Sequence, residues 1–290
     1  MYTYMGEVFR EIRQGRNISL KNATGDAFSY SMLSRFENGE SDISATKLLV
    51  ALENIHMELE EFVYLVRGFQ PTSYDMLQKQ LWEAHDQQNM SKLEKMYQDQ
   101  IVKYHESPQK AVYFLNALLI KAHMILFDES VEITKEESDF LSDYLFSVEI
   151  WGEYELRLFS EMSVLLPLDL YYRYTREMLV KTSHLKDLTS NRNYIHTILL
   201  NGFFKAIDKN NRSKAAYFDK QIQDSFFGEN EAYFRIIYLF ASGQFDYISG
   251  KKSQGKEKME DAIRTLRLLN CNHSADYYTK NRDNWLKKFE

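Results

Sequence analysis

Apolar residues recur along this chain at intervals of three and four, the spacing that puts side chains on one face of an α-helix. Met5, Val8, Phe9 and Ile12 align in this way over residues 3–14. A second short helix fits Ile18–Thr24, opening at Ser19, and Gly25-Asp26 supplies a turn. Ser29 then offers an N-cap, with Phe28 placed to staple onto Leu33 one turn in. Leu33 and Phe36 share the buried face of this third helix, and Gly39 stops it in a left-handed conformation. Tyr30, Ser31, Ser34, Arg35 and Asn38 are left facing outward. Ser44 opens a fourth helix with Leu48, Leu49 and Leu52 inside. A fifth fits Glu58–Val66 around Leu59, Phe62, Val63 and Val66.

Five short helices make a complete small domain, expected at residues 1–66. Gly68 and Pro71 mark residues 67–73 as a linker. From there the helical period continues, predicting helices near 73–86, 90–104, 108–127, 135–149, 151–165, 167–182, 188–208, 211–225, 229–248, 253–270 and 274–288. Their lengths and antiparallel pairing predict an α-solenoid of tetratricopeptide-like helix pairs over 74–290. The consensus residues of that repeat are absent, so the expectation rests on architecture alone. The fold class is all-α: a five-helix helix-turn-helix domain followed by the solenoid. Composition agrees, since 11 Gly and 3 Pro are few breakers for 290 residues, whereas 20 Tyr, 19 Phe and 11 Met supply long side chains to pack.

A single cysteine, Cys271, excludes an intrachain disulfide framework and suits a reducing compartment. No run approaches the ~18 apolar residues of a membrane span. The expected location is therefore the cytoplasm, with no membrane partner.

The net charge is −6, which by itself argues against nucleic acid. Its distribution argues otherwise, because residues 1–35 carry net +2 and residues 36–66 carry net −6. A basic face backed by an acidic one docks only weakly on phosphate, so a dimer would be needed for useful affinity. A short exposed helix bearing Tyr, Ser and Arg near its N-terminus suits major-groove reading; an ordinary surface helix is the alternative.

The run Ile18-Ser19-Leu20, then Leu33-Ser34-Arg35-Phe36-Glu37-Asn38-Gly39-Glu40-Ser41, resembles the Cro-repressor-like helix-turn-helix of the Rgg family of transcription regulators from Gram-positive bacteria. Arg13-Gln14-Gly15 fits the same pattern. The resemblance continues through Leu141–Glu149, Trp151-Gly152 and Tyr154-Glu155, and again from Phe245 to Leu269. Family members often read Arg-Arg-Leu-Arg where this chain has Arg10-Glu11-Ile12-Arg13, and Ser-Lys-Ser-Gln where it has Ser29-Tyr30-Ser31-Met32. Some relatives also place a cysteine, able to bridge two DNA-binding domains, where this chain has Ala45. The resemblance implies a homodimer joined through its repeat domains and bound to double-stranded promoter DNA. Arg10, Arg13, Arg16 and Lys21 would hold phosphates, and Tyr30, Ser31, Ser34 and Arg35 would lie nearest the base edges.

The resemblance further implies a concave groove that receives a short, imported, mostly apolar signalling peptide. Such grooves need amides and cations to fix backbone and ends, with aromatic walls for side chains. Candidate contacts are Arg157, Tyr171, Arg173, Asn201 and Tyr238. Asn201 stands out within ILLNGFF, where a polar side chain needs a partner. No metal-ligand spacing, phosphate-binding glycine loop or nucleophile elbow is present, so neither a cofactor nor an enzymatic activity is expected. A second reading keeps the architecture but makes the groove a dock for a protein segment, with weak or vestigial DNA binding.

Overall fold

The computed structural model describes residues 4–128 and 130–289, which form α-helices, one 3-10 turn and no strand. The chain divides into two compact units, Met1–Glu83 and Ala84–Glu290.

The first unit contains α1 (Met5–Gly15), α2 (Leu20–Thr24), α3 (Tyr30–Glu37), α4 (Ala45–Asn54) and α5 (Leu59–Val66). Residue 3, the expected start of the first helix, lies outside the described residues. The caps follow from side-chain chemistry: Ser19 Oγ accepts from the backbone N–H of Asn22 at 3.1 Å, and Ser29 Oγ from that of Met32 at 3.4 Å. Ser44 occupies the N-cap position of α4, but its hydroxyl accepts no backbone N–H. Gly39, at φ +72°, closes α3 in a Schellman motif. Its N–H donates to Phe36 O at 3.0 Å and that of Glu40 donates to Arg35 O at 2.8 Å.

Phe9, Leu33, Ala51, Ile55 and Phe62 form a fully buried core beneath these helices. The Phe9 ring sits edge-on to Phe62 with centroids 6.2 Å apart and tilted to Phe36 at 6.3 Å. Burying each such ring contributes about 1.5–3 kcal/mol. Gly6 lets α1 press on the end of α3, because a Cβ there would stand 1.9 Å from Phe36 O.

The division between units falls inside α6 (Ser73–Asp86) rather than in the 67–73 stretch. Thr72 explains why α6 starts immediately after Pro71: its N–H donates to Asp75 Oδ2 and its Oγ1 accepts from Asp75 N, both at 3.0 Å.

The second unit continues with α7 (Met90–Glu106), α8 (Ala111–Phe127), α9 (Lys135–Ser147), α10 (Glu153–Glu161), α11 (Leu168–Lys181), α12 (Thr189–Asp208), α13 (Arg212–Asp224), α14 (Ala232–Ile248), α15 (Lys252–Leu268) and α16 (Asn272–Phe289). Consecutive helices pair, as α7 with α8, α12 with α13 and α14 with α15. Alternate helices also stack, α8 on α10, α10 on α12 and α12 on α14, which is the layering of a solenoid. The helix expected over 151–165 is interrupted: α10 ends at Glu161 and Ser163–Leu165 form a 3-10 turn. Pro167 accounts for this, since it drives Leu166 into an extended conformation, φ −103° and ψ 127°.

Polar clusters pin the helices together. Thr134 caps α9 in a capping box with Glu137, whose carboxylate also takes Lys121 Nζ at 2.6 Å and Tyr97 OH at 2.8 Å. Buried Trp151 donates its indole N–H to Leu145 O at 3.3 Å and packs edge-on to Phe159. Between α14 and α15 the contact is backbone on backbone, because a Cβ on Gly243 would lie 2.7 Å from Gly255 O.

Candidate functional site

Two surfaces carry the polar chemistry. The first belongs to the N-terminal unit and centres on the opening turn of α3. Tyr30 is 64% exposed, Ser31 is exposed beside it with its Oγ 3.2 Å from Ser29 Oγ, and Ser34 is half-buried. Arg35 is exposed, with its Nε 3.9 Å from Glu40 Oε2. An exposed pair at that separation contributes little, so the guanidinium keeps its reach. Lys21 on α2 is exposed.

The arginines of α1 have divided roles. Arg13 is buried, with Nε and Nη2 each 2.7 Å from a Glu37 carboxylate oxygen and Nη1 donating to Ile18 O at 2.7 Å. It is a structural brace, which corrects the expectation of a phosphate contact: every face of its guanidinium fork is turned inward. Arg16 donates to the carbonyls of Ile55 and His56 and closes the end of α4. Arg10 is half-buried and donates from Nη1 to Asn38 Oδ1 at 3.1 Å. Met32, 40% exposed on the same helix, and Lys47, with Nζ 3.8 Å from Met32 Sδ, extend this face; the periodic pattern did not single them out.

The second surface is an open groove of about 690 Å³ in the C-terminal unit. Its floor is α12, with α14 and α16 on one side and Leu126 and Ser163-Val164 on the other. Leu200, Phe204, Phe234 and Ile237 supply an apolar wall, and Asn201, Gln244 and Asn281 place amides along it. Asn201 donates from Nδ2 to Ser160 O at 3.2 Å. Gln244 is 1% exposed; its Nε2 faces Asn281 Oδ1 at 3.4 Å and its Oε1 accepts no hydrogen bond. Lys205, Asp208, Lys209 and Lys288 gather where α12 ends. Burial, reinforced by Lys209, holds the Lys205 ammonium below the usual lysine range, and burial raises the Asp208 carboxyl.

Of the expected groove residues, Asn201 borders this cavity. Tyr171 does not: it is fully buried, donates its OH to Ile198 O at 2.9 Å and stacks on Phe159 at 4.7 Å. Its assignment as a ligand contact is corrected to core packing, since no face of the ring reaches solvent. Tyr238 turns toward α13, donating to Asp219 Oδ1 at 2.6 Å. Arg173 is exposed on α11 over the Tyr174 ring and borders a separate cavity with Arg176 and Tyr217. Arg157 is half-buried and engages Tyr194. Lys205 within GFFKAI and Gln244 within ASGQFDYI carry the same signal as Asn201, a polar side chain in an apolar run. The sequence reading passed over both.

Among the described residues no three His, Cys, Asp or Glu side chains converge to hold a metal ion, and no helix is long and apolar enough to cross a membrane.

The fold is a unit of short helices followed by a helical repeat, and the comparison with known families makes the chain a transcription regulator. The profile of the C-terminal domain of HTH-type transcriptional regulator Rgg matches residues 94–280, and the chain belongs to the Rgg family. The crystal structure of the Rgg2 pheromone receptor of Streptococcus dysgalactiae superimposes with a TM-score of 0.81 at 26% identity, covering 98% of this chain and 99% of that one. A Listeria monocytogenes chain described as a transcriptional regulator gives 0.82 at 20% identity, covering 99% of each. PrgX in complex with cCF10 gives 0.74 at 14% identity, covering 99% of this chain and 94% of that one, a likeness of fold alone.

Proposed function

We propose that this chain is a sequence-specific DNA-binding regulator whose activity is set by a short apolar peptide held in the groove of its C-terminal unit. The observation that carries this reading is the groove itself, an apolar wall interrupted by inward amides. An extended peptide presents N–H and C=O groups in alternation, and Asn or Gln can serve either. Membership of the Rgg family supports the regulatory half, and the Rgg2 structure is that of a pheromone receptor. The protein acts in the cytoplasm as a homodimer, which brings two α3 helices to adjacent major grooves. Lys21 faces phosphate, joined by Arg10 and Arg16 through the guanidinium N–H groups not already given to Asn38, Ile55 and His56, while Tyr30, Ser31, Ser34 and Arg35 lie nearest the base edges. Peptide shifts the population of the DNA-competent state by its differential affinity for that state.

Two measurements test this. Calorimetric titration of folded protein with apolar peptide pools gives saturable heats; none from any pool would remove the receptor reading. Arg35→Ala narrows the difference in affinity between the protein's own promoter and random DNA. Equal affinity of the wild-type protein for both would remove the specificity.

One observation favours the protein-segment scaffold: Arg13 is withdrawn from the surface and Tyr30 and Met32 stand where cations would help. A flat dependence of DNA affinity on salt would select that reading, since phosphate neutralisation gives a steep negative slope.

A further inference from the structure

The charged residues of the groove are all at one end. Asn201, Lys205 and Asp208 follow at helical spacing along one face of α12, with Lys209 beside them and Lys288 arriving from α16. Among the described residues these three lysines outnumber Asp208, the single acid bordering the groove. Lys288 Nζ donates to the Asp208 carbonyl at 3.2 Å. The Lys205 Nζ, half-buried, finds no hydrogen-bond acceptor among the described residues; Asp208 acts on it only through space. Leu126, Ser163, Val164 and Thr197 border the opposite end and carry no charge.

A half-buried ammonium without a bonded partner, open to the groove, is a ready seat for an anion. The carbonyl oxygen of Gln244 is buried beside the groove and lacks a donor, which an extended backbone N–H would supply. From Thr197 to Asp208 the helix rises about 16 Å, room for roughly five extended residues.

We propose that the groove reads its peptide in one direction: a peptide carboxylate, the free C-terminus, is held at Lys205, and Gln244 accepts a backbone N–H further in. This rests on the peptide-receptor reading above. Lys205 and Gln244 are then specificity-determining residues, one for the end of the peptide and one for its main chain.

The experiment compares two pools of apolar heptapeptides, identical except for a free or an amidated C-terminus, each with and without one internal Asp. They are titrated calorimetrically into the full chain, into Lys205→Met, Lys205→Arg and Gln244→Met, with thermal melts to establish that each variant is folded. Amidation weakens binding to the wild-type chain at least tenfold, has no effect in Lys205→Met, and recovers its effect in Lys205→Arg. Gln244→Met weakens free and amidated peptides alike. An effect of the internal Asp that disappears in Lys205→Met, with none from amidation, would assign the ammonium to an acidic side chain and overturn the orientation. Tight binding of both pools without regard to Lys205 overturns it as well. Absence of binding by either pool strikes the receptor reading itself, an outcome separate from the other two.

Discussion

Arg13 and Glu37 meet in a bidentate ion pair, Nε to Oε1 and Nη2 to Oε2 at 2.7 Å each, with side chains only 9% and 3% exposed. The pair ties α1 to the C-terminal end of α3, so the angle at which α3 presents Tyr30, Ser31 and Arg35 is set by a contact made from its inner face. Removing one member leaves a buried charge, and Glu37→Ala should cost about 3–5 kcal/mol. The double variant Arg13→Met/Glu37→Leu should be far closer to the wild type in stability. Denaturant unfolding of the full chain decides between them; a mild loss in Glu37→Ala would show that the brace is dispensable.

Lys21 is exposed, and only its backbone carbonyl, which accepts from Gly25 N and Thr24 Oγ1, takes part in closing α2. Lys21→Ala should lower affinity for promoter and random DNA by the same factor and flatten the salt dependence by about 0.9 in log–log slope. A selective loss on the promoter would instead move Lys21 to a base edge.

His196 is 3% exposed and packs edge-on against the stacked pair Phe227 and Phe234, with Nδ1 3.7 Å from Glu231 Oε1. Burial outweighs Glu231 and holds the imidazole below the usual histidine range. The unfolded chain takes up this proton near pH 6.5 and the folded one only lower. The stability is therefore whole above about pH 6.5 and falls as the pH drops from there to the depressed folded value, below which the loss levels off. The melting temperature should fall between pH 6.5 and 5, and His196→Phe should fall less steeply. Parallel curves would place the titration elsewhere.

Gly202 lies one residue from Asn201, and a Cβ there would sit 2.2 Å from Cε1 of the fully buried Phe218 ring. Gly202→Ala should destabilise by about 1–3 kcal/mol through overpacking. Gly15→Ala, with nothing within 4 Å of the added carbon, should cost nothing. Equal melting temperatures for the two variants would mean that Phe218 moves aside freely.

The helices were legible because they are long or well capped. Ser19, Ser29 and Gly39 are local signals, and local structure honours them. What the linear pattern lacks is which face of a helix meets which neighbour. Tyr171 and Tyr238 are aromatic residues in helices that border or underlie the groove, yet one is sealed against Ile198 and the other bonded to Asp219. Arg13 read as a surface cation because Glu37, 24 positions away, reaches it only in three dimensions. Asn201 was legible since a polar side chain in an apolar run needs a partner wherever it points; the same reasoning extends to Lys205 and Gln244.

The seat of α14 on α15 carries a mechanical consequence. Where Gly243 meets Gly255, backbone lies on backbone, and Tyr247 Cβ, Lys258 Cβ and Met259 Cγ close in to 2.9–3.0 Å of where an added Cβ would stand. The joint has no slack, so one methyl added at either glycine must push α14 and α15 apart.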